Sequence, residues 1–440
     1  MLVSCFCVDV WAQRLSLDSC KAKAFRNNAA IKNAVLDVEA AKELKRQAFT
    51  KFFPNVTAMA GGYHAVNPLL EYGIDDIESA QARQQLNNLY FEYGASLGLP
   101  SSISLCNNGV AIGTTAIQPV FMGGQIVNGN KLADVGVQGA ELQVCMAHDE
   151  IEQRVEENYW LVVLLYEKKK TLQQALTFLD TLYRDVTVAK VSGLVTQNDL
   201  LKVTLKQNEM HSDMLKVDNG IALATMALCQ LIGQEYSPEI VLTDSVSADA
   251  HAWNGKNQDI RSSVAQRKES ELLGLNVEAE RLKKKMLVGE ALPHLMIGAT
   301  ASYGNPVFDR FSANGLAFAT LQVPLTNWWE TSHKLKQQEY AIQKAENQRL
   351  DLMQKMALEI QQASNNVQES LAQVELMKET VQNAEVNLAT SKVNCEAGLI
   401  PVSDLLEAQT LYQQVQDQWI EAVIDYTIKC AKLKKIAPNL

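Results

Sequence analysis

Two carboxylates, Asp404 and Glu407, carry the clearest chemical signal in the sequence, because they follow a turn that runs from Gly398 to Pro401. Side chains three residues apart share one face of a helix. Two like charges held close together raise some of their pKa values and attract cations. The alternative interpretation is an ordinary acidic helix start, whose carboxylates are solvated and favoured by the helix dipole. Both interpretations stay open on the residues alone.

No constellation of residues supports catalysis, and we predict that the protein is not an enzyme. The eight cysteines are scattered without a CxxC pair, and the six histidines are dispersed without an HExxH motif. Gly123 and Gly124 are not followed by the Lys-Ser/Thr of a phosphate loop, and GxSxG is absent. We therefore predict neither a metal site nor a cofactor.

Composition narrows the class of protein further. The chain has 440 residues, of which 47% are apolar and 20% charged, and its net charge is -10. An acidic chain repels a phosphate backbone, so we predict no nucleic-acid partner. No apolar run reaches the roughly 18 residues of a spanning helix, so we predict no membrane-crossing helix. A transmembrane β-barrel stays possible, because barrel strands are short and alternating.

Glycine and proline are absent from three long runs, which predicts helices far longer than the globular average. The runs are Arg14 to Phe53, Ala140 to Ser192 and Leu325 to Ala397. Within the last run, apolar residues recur at steps of three and four, as in a coiled-coil seam. The predicted seam residues are Ile360, Ala363, Val367, Leu371, Val374, Met377, Val381, Ala384 and Leu388.

Four other segments are about ten residues long and rich in Gly, Ala, Thr and β-branched residues, which predicts strands long enough to cross a bilayer. They lie at about residues 55–64, 109–119, 294–303 and 312–323. Four strands cannot span a membrane alone, because open edges leave backbone groups unpaired in hydrocarbon. Several copies must therefore share one barrel, and the strand arithmetic allows either two copies or three.

The order of helix, two strands and long helices occurs twice, which indicates an internal duplication. The segment from Gly193 to Asp199 corresponds to the segment from Gly398 to Asp404 at one constant offset. We predict a signal-peptide remnant at 1–13, a first structural repeat at 14–233, a linker at 234–256, a second structural repeat at 257–436 and a tail at 437–440.

Several motifs resemble those of the TolC-type outer-membrane efflux proteins. They are LSLDSC at Leu15 to Cys20, FFP at Phe52 to Pro54, IQPVFMGG at Ile117 to Gly124, and the two Gly-Leu-aliphatic turns that precede Asp-Leu-Leu. The resemblance implies a mainly α fold with a small β part. In that fold, long coiled-coil helices form a trimeric α-barrel continuous with a twelve-stranded transmembrane β-barrel, to which each protomer contributes four strands.

The resemblance also implies a function without catalysis. The chain would be the exit duct of a tripartite efflux or type I secretion system, located in the outer membrane with most of its length in the periplasm. It would export small molecules passively. The implied partners are two further copies, a periplasmic adaptor protein, an inner-membrane transporter and outer-membrane lipid. Drug efflux, metal efflux and protein secretion all fit. A soluble structural coiled-coil protein is the alternative, which explains the helices but not the strand segments.

The resemblance assigns Asp404, Glu407 and Asp199 to a closed periplasmic aperture. In the first repeat Lys202 takes the place of the second acid. Related proteins can hold the tip shut with Tyr and Arg links. Cys395 and Ile400 stand at those positions here, so this latch is absent.

Two further groups of residues are expected at interfaces. Indole rings favour the membrane–water boundary, so Trp328 and Trp329 after the last strand are expected there, the alternative being a buried helix start. The residues that resemble an adaptor-contact tip, with ordinary helix-turn packing as the alternative, are Gly193, Leu194, Val195, Gly398, Leu399 and Ile400.

Overall fold

The structure is a computed structural model that describes residues 14–67, 70–105, 108–245, 260–305 and 311–437. The predicted leader remnant at 1–13 lies outside the described residues, as do 246–256 of the predicted linker and 438–440 of the predicted tail. The helices are α1 (Leu17–Asn27), α2 (Ala29–Thr50), α3 (Ala80–Leu89), α4 (Gln125–Val191), α5 (Gln197–Ile232), α6 (Ile260–Gln266), α7 (Lys268–Glu290), α8 (Asn327–Glu396) and α9 (Val402–Ile436). The strands are β1 (Arg14–Leu15), β2 (Asn55–His64), β3 (Leu70–Gly73), β4 (Ser102–Leu105), β5 (Asn108–Met122), β6 (Val241–Leu242), β7 (His294–Gly304) and β8 (Ser312–Gln322).

The chain forms two compact units. The helical unit comprises the described parts of residues 1–42, 136–277 and 343–440, and the sheet unit comprises those of 43–135 and 278–342. Each unit takes segments from both predicted repeats, because each repeat contributes two of the four long strands and two of the longest helices. The predicted repeats at 14–233 and 257–436 therefore do not coincide with the two units, and the division into repeats stays a prediction.

Buried apolar clusters hold the helical unit together, and the predicted seam on α8 belongs to them. Ile360 and Val367 are fully buried, and Val374 is nearly so. They pack in one cluster with Val423 and Tyr426 of α9. The remaining seam residues are buried or half-buried, which confirms the three-and-four spacing as a packing face.

The first glycine-free run contains two helices instead of one. Asn28 separates α1 from α2 with an extended backbone. Its side chain donates a hydrogen bond to Leu231 O at 2.9 Å and accepts one from Ala30 N–H at 2.8 Å. Asn28 therefore caps α2 while it binds the end of α5, which is a long-range contact that local periodicity does not reveal.

Helix α5 has the length and composition of a segment that crosses a membrane, and it is the one such helix among the described residues. The sequence analysis expected none. Its last turns hold Leu228, Cys229 and Ile232, which are buried in a cluster with Cys20 and Tyr159. Packing in the helical unit thus accounts for the apolar residues in the last turns of this helix.

The core of the sheet unit is a four-stranded antiparallel sheet in the order β2-β5-β7-β8. Within the chain, β2 and β8 are its two edge strands. The link between β2 and β5 carries the small hairpin of β3 and β4 and the helix α3, which begins at the cap Ser79. Strand β5 is longer than predicted and ends at Met122, with a bulge between Pro119 and Phe121.

The register sorts the side chains of the four strands into two faces, because residues paired across antiparallel strands lie on the same face. One face, here named the apolar face, is dominated by aliphatic residues, and neither face carries Asp, Glu, Lys or Arg within the four strands. Its aliphatic members are Val56, Ala58, Ala60, Val110, Ile112, Ala116, Leu295, Ile297, Ala299, Ala301, Ala313, Ala317, Ala319 and Leu321. The opposite face holds most of the polar residues, which are Asn55, Thr57, Thr115, His294, Thr300, Ser302, Ser312, Asn314, Thr320 and Gln322.

Two glycines allow β5 to turn sharply into α4 beside the end of α7. Gly123 and Gly124 have positive φ values of 59° and 78°. A Cβ atom on Gly123 would lie 2.2 Å from Gly289 O, and one on Gly289 would lie 2.6 Å from Gly123 O. The two backbones therefore touch at a point where neither can carry a side chain.

We expect Gly289→Ala to lower the free energy of unfolding by about 1–3 kcal/mol, because the new methyl group must displace backbone. Gly274→Ala on the same helix is the control, since a Cβ there meets nothing within 4 Å. It should be neutral or stabilise by up to about 1 kcal/mol, because alanine is the better helix former. Thermal unfolding in detergent, followed by circular dichroism, measures both, and equal midpoints would contradict the close approach.

Candidate functional site: the paired hairpin turns

Two hairpin turns in the helical unit have the same backbone geometry. Gly193 and Gly398 adopt φ values of 74° and 73°, which favour glycine. At the first turn, Leu194 N–H donates to Ala189 O at 2.9 Å; at the second, Leu399 N–H donates to the carbonyl five residues earlier at 2.8 Å. Each long helix therefore ends in the same left-handed motif, and the chain reverses within a few residues.

The two turns differ in how the next helix begins. Thr196 caps α5: its hydroxyl accepts a hydrogen bond from Asp199 N–H at 3.3 Å, and Asp199 Oδ2 accepts from Thr196 N–H at 3.1 Å. Helix α9 has Pro401 at its cap position, with no side-chain cap. Ser403, two residues after Pro401, does not cap the helix, and its hydroxyl instead donates to Asp404 at 3.2 Å.

Asp199 is bound by its own helix end. Besides the backbone contact, the Thr196 hydroxyl donates to its carboxylate at 2.7 Å, and Lys202 lies 3.8 Å away. Hydrogen bonds from Thr196, helped by the charge of Lys202, lower the pKa of Asp199 below its ordinary value. Of the three acids predicted at the aperture, Asp199 therefore has a local structural role.

Asp404 and Glu407 are exposed on one face of the first turns of α9. The opposite face of the same turns is buried through Val402 and Leu405. The first turns of α9 therefore have one apolar side that is buried and one side that carries the two exposed carboxylates. Among the described residues Glu407 has no ion-pair partner, so its charge is available to ions or to another chain.

Apolar packing brings the two turns together. Val402 and Leu405 of α9 lie in one buried cluster with Val203 of α5, and Val195 packs against it. Cys395 also packs there, and burial raises the pKa of its thiol, with further contributions from Glu396 and the two turn aspartates. The structure therefore places the acids of both turns around one apolar cluster.

The residues predicted to contact an adaptor differ in exposure. Leu194 and Leu399 are 80% and 74% exposed, whereas Val195 and Ile400 are half-buried. Both glycines have open space around them. Exposed valines extend the same surface along the ends of the long helices, and sequence reasoning did not single them out: Val188, Val191 and Val393. Their apolar character at exposed helix positions was the available signal.

At the start of α8, the two tryptophans have different surroundings. The indole Nε1 of Trp328 donates to Ala291 O at 3.2 Å, while Trp329 is 78% exposed. Neither ring is buried, so the alternative of a buried helix start does not hold in the single chain. Among the described residues, no group of three or more His, Cys, Asp or Glu side chains is placed to hold a metal ion.

Comparison with known proteins identifies the class. Residues 259–437 match the family described as outer membrane efflux protein. The outer membrane protein TolC of Vibrio cholerae serotype O1 is 21% identical over 257 residues, which cover 56% of this chain and 58% of that protein. The match thus spans less than two thirds of the relative's length.

Solved structures with the same fold extend over almost the whole chain. The structure of CusC has a TM-score of 0.78 at 14% identity and covers 96% of this chain and 91% of its own. The structure of VceC from Vibrio cholerae has a TM-score of 0.73 at 16% identity and covers 96% of both chains. These likenesses confirm the mainly α fold with a small β part.

Residues 259–437 thus match the outer membrane efflux protein family, which agrees with the motif resemblance, and the fold of the chain is similar to those of CusC and VceC. The matched family and the TolC relative are both described as outer-membrane proteins, in agreement with the predicted class and localisation. The roles of individual residues at the turns stay predictions.

We expect Asp199→Ala to destabilise the first turn of α5 by about 1 kcal/mol, because the reciprocal cap with Thr196 is lost. Asp404→Ala is the matched control at the second turn, where the carboxylate caps no backbone N–H. Hydrogen exchange of the amides in the first turns of α5 and α9 measures both effects. Faster exchange in the control than in Asp199→Ala would contradict this assignment.

The same contact predicts a dependence on pH. Since the pKa of Asp199 is lowered in the folded protein, its stabilisation is present above the ordinary carboxyl pKa of about 4 and is lost as the pH falls through the lowered value. Protection of the first turn of α5 should therefore decline only below about pH 4 in the wild type. In Asp199→Ala it should show no such decline.

Proposed function

We propose that the chain is the exit duct of a tripartite export system and that three copies form one channel. The open four-stranded sheet carries this proposal. Its apolar face suits lipid, and its other face, richer in Thr, Ser, Asn and Gln, suits water. The edge strands β2 and β8 are each paired on one side only within the described residues, so another copy must pair with their outer edges if the sheet lies in a bilayer.

Three copies give a closed barrel of twelve strands, in which β8 of each protomer pairs with β2 of the next. Two copies would also reach the minimum of about eight strands, which leaves an interior filled by side chains. A duct requires a wider lumen, and the family relationship favours the trimer. The chain has no catalytic constellation, so export would be passive and driven by the partner proteins.

Asp404 and Glu407 are proposed to line the periplasmic aperture. Their exposure on one helix face supports this role, because a trimer would bring six carboxylates to one opening. Asp199 is proposed to stabilise the first turn beside them, since its carboxylate is bound to Thr196. A ring of carboxylates attracts cations, so the aperture would be cation-selective.

The surface around Leu194 and Leu399 is proposed to receive the periplasmic adaptor, which joins the duct to an inner-membrane transporter. Exposed apolar residues on two adjacent turns support this proposal, because large exposed apolar patches mark interaction sites. Small exported molecules are the proposed cargo. The two glycines keep the turns narrow enough for a partner to approach the backbone.

Single-channel recording in planar bilayers tests the proposed function. We expect the wild type to conduct, and multivalent cations added on the aperture side to block the current. Replacing both acids, Asp404→Ala with Glu407→Ala, should weaken this block by about tenfold or more, because the carboxylates that bind the cation are removed.

The matched control is Glu375→Ala with Glu379→Ala, which removes the same charge from exposed positions on α8. Its block should equal that of the wild type. Equal block in the aperture variant would reject the aperture, and a wild type that never inserts into bilayers would reject the duct and favour a soluble coiled-coil protein.

A further inference from the structure

A cleft of about 450 Å³ lies in the sheet unit, between the end of α7 and the start of α8. It is next to the strands, because α7 is followed at once by β7 and α8 begins shortly after β8. A small-molecule site typically has a volume of this order. The residues that line the cleft are Lys284, Ala291, Trp328, Thr331, Ser332, Leu335, Lys336 and Glu339.

The two lysines of the cleft differ in their partners. Lys284 forms an ion pair with Glu339 across the two helices. Lys336 is exposed, and within the described residues it has no carboxylate partner. The cleft therefore offers one free ammonium group and one that is shared, together with the hydroxyl groups of Thr331 and Ser332.

Other contacts fix the walls of the cleft. The Gln338 side chain donates to Glu280 O at 3.0 Å and to the Glu280 carboxylate at 2.6 Å, which ties α8 to α7. Trp328 donates its indole N–H to Ala291 O, so the ring is held in place. Together with Leu335, the ring supplies an apolar wall beside the cations.

We propose that this cleft binds the phosphate of a glycerophospholipid headgroup, with Lys336 and Lys284 on the phosphate and an acyl chain along Trp328 and Leu335. Phosphate accepts charge-assisted hydrogen bonds from ammonium groups, and indole rings favour the headgroup boundary. Glu339 pairs with Lys284 through one carboxylate oxygen, and its other oxygen would accept a hydrogen bond from an ethanolamine ammonium group, so a zwitterionic headgroup matches the cleft. This inference rests on the proposed function, because it needs the sheet to lie in a membrane.

Native mass spectrometry of the full-length protein, delipidated in mild detergent and titrated with phosphatidylethanolamine, tests the site. We expect retained lipid on the wild type, about tenfold weaker retention with Lys336→Gln, and a larger loss when Lys284→Gln is added. Lys344→Gln on the same helix is the control and should retain lipid like the wild type. Trp328 fluorescence should also be quenched by lipid with brominated chains.

Further arms separate the possible outcomes. Inorganic phosphate is added as a competitor. If a low concentration of phosphate displaces the lipid, the cleft is a general anion site and the lipid assignment is overturned. Equal retention by the double variant and the wild type would also overturn it. Insertion into vesicles is measured separately for every variant, so a failure of the duct itself is distinguished from loss of lipid at an inserted channel.

Discussion

In the part of the chain that the structure describes, the outer edges of β2 and β8 have no strand partner, and the rest of this account depends on that constraint. A strand edge in water can be satisfied by solvent, but in hydrocarbon each free N–H and C=O group costs several kcal/mol. One face of the sheet is apolar and has no charged residues, so this face is suited to contact lipid. In the proposed channel the chain therefore assembles with further copies, and assembly around a central axis would create a lumen lined by the more polar face.

A different constraint applies to the helical unit, where the chain must reverse direction between very long helices within a few residues. Gly193 and Gly398 allow this reversal because both adopt left-handed backbone angles. The two turns also form equivalent backbone hydrogen bonds. Their turns are equivalent, yet the acids after them are not. Asp199 caps the start of α5, whereas Asp404 and Glu407 are exposed on α9, next to the buried side chains of Val402 and Leu405. The two turns thus share one backbone scaffold, on which one turn has an acid that caps its helix and the other has exposed acids.

Sequence predicted the features that arise from local periodicity and composition. The seam through Ile360 and Val367 follows from helical spacing, and the strands follow from runs of small and β-branched residues. Long-range contacts were not predictable in this way. The break at Asn28 depends on Leu231, and helix α4 begins well before Ala140, with Gly129 and Gly139 next to side chains of α7. The capping of Asp199 was foreseeable from Thr196 three residues earlier, whereas the cleft at Lys336 requires two helices distant in sequence.

The detergent-corrected mass of the purified protein, measured by light scattering, tests the central claim most directly. If the sheet edges close through other copies, the particle should have three times the chain mass of 48.7 kDa and should precipitate when detergent is removed. A monodisperse monomer or dimer that stays in solution without detergent would contradict the account, because the edges of β2 and β8 would then be satisfied by water.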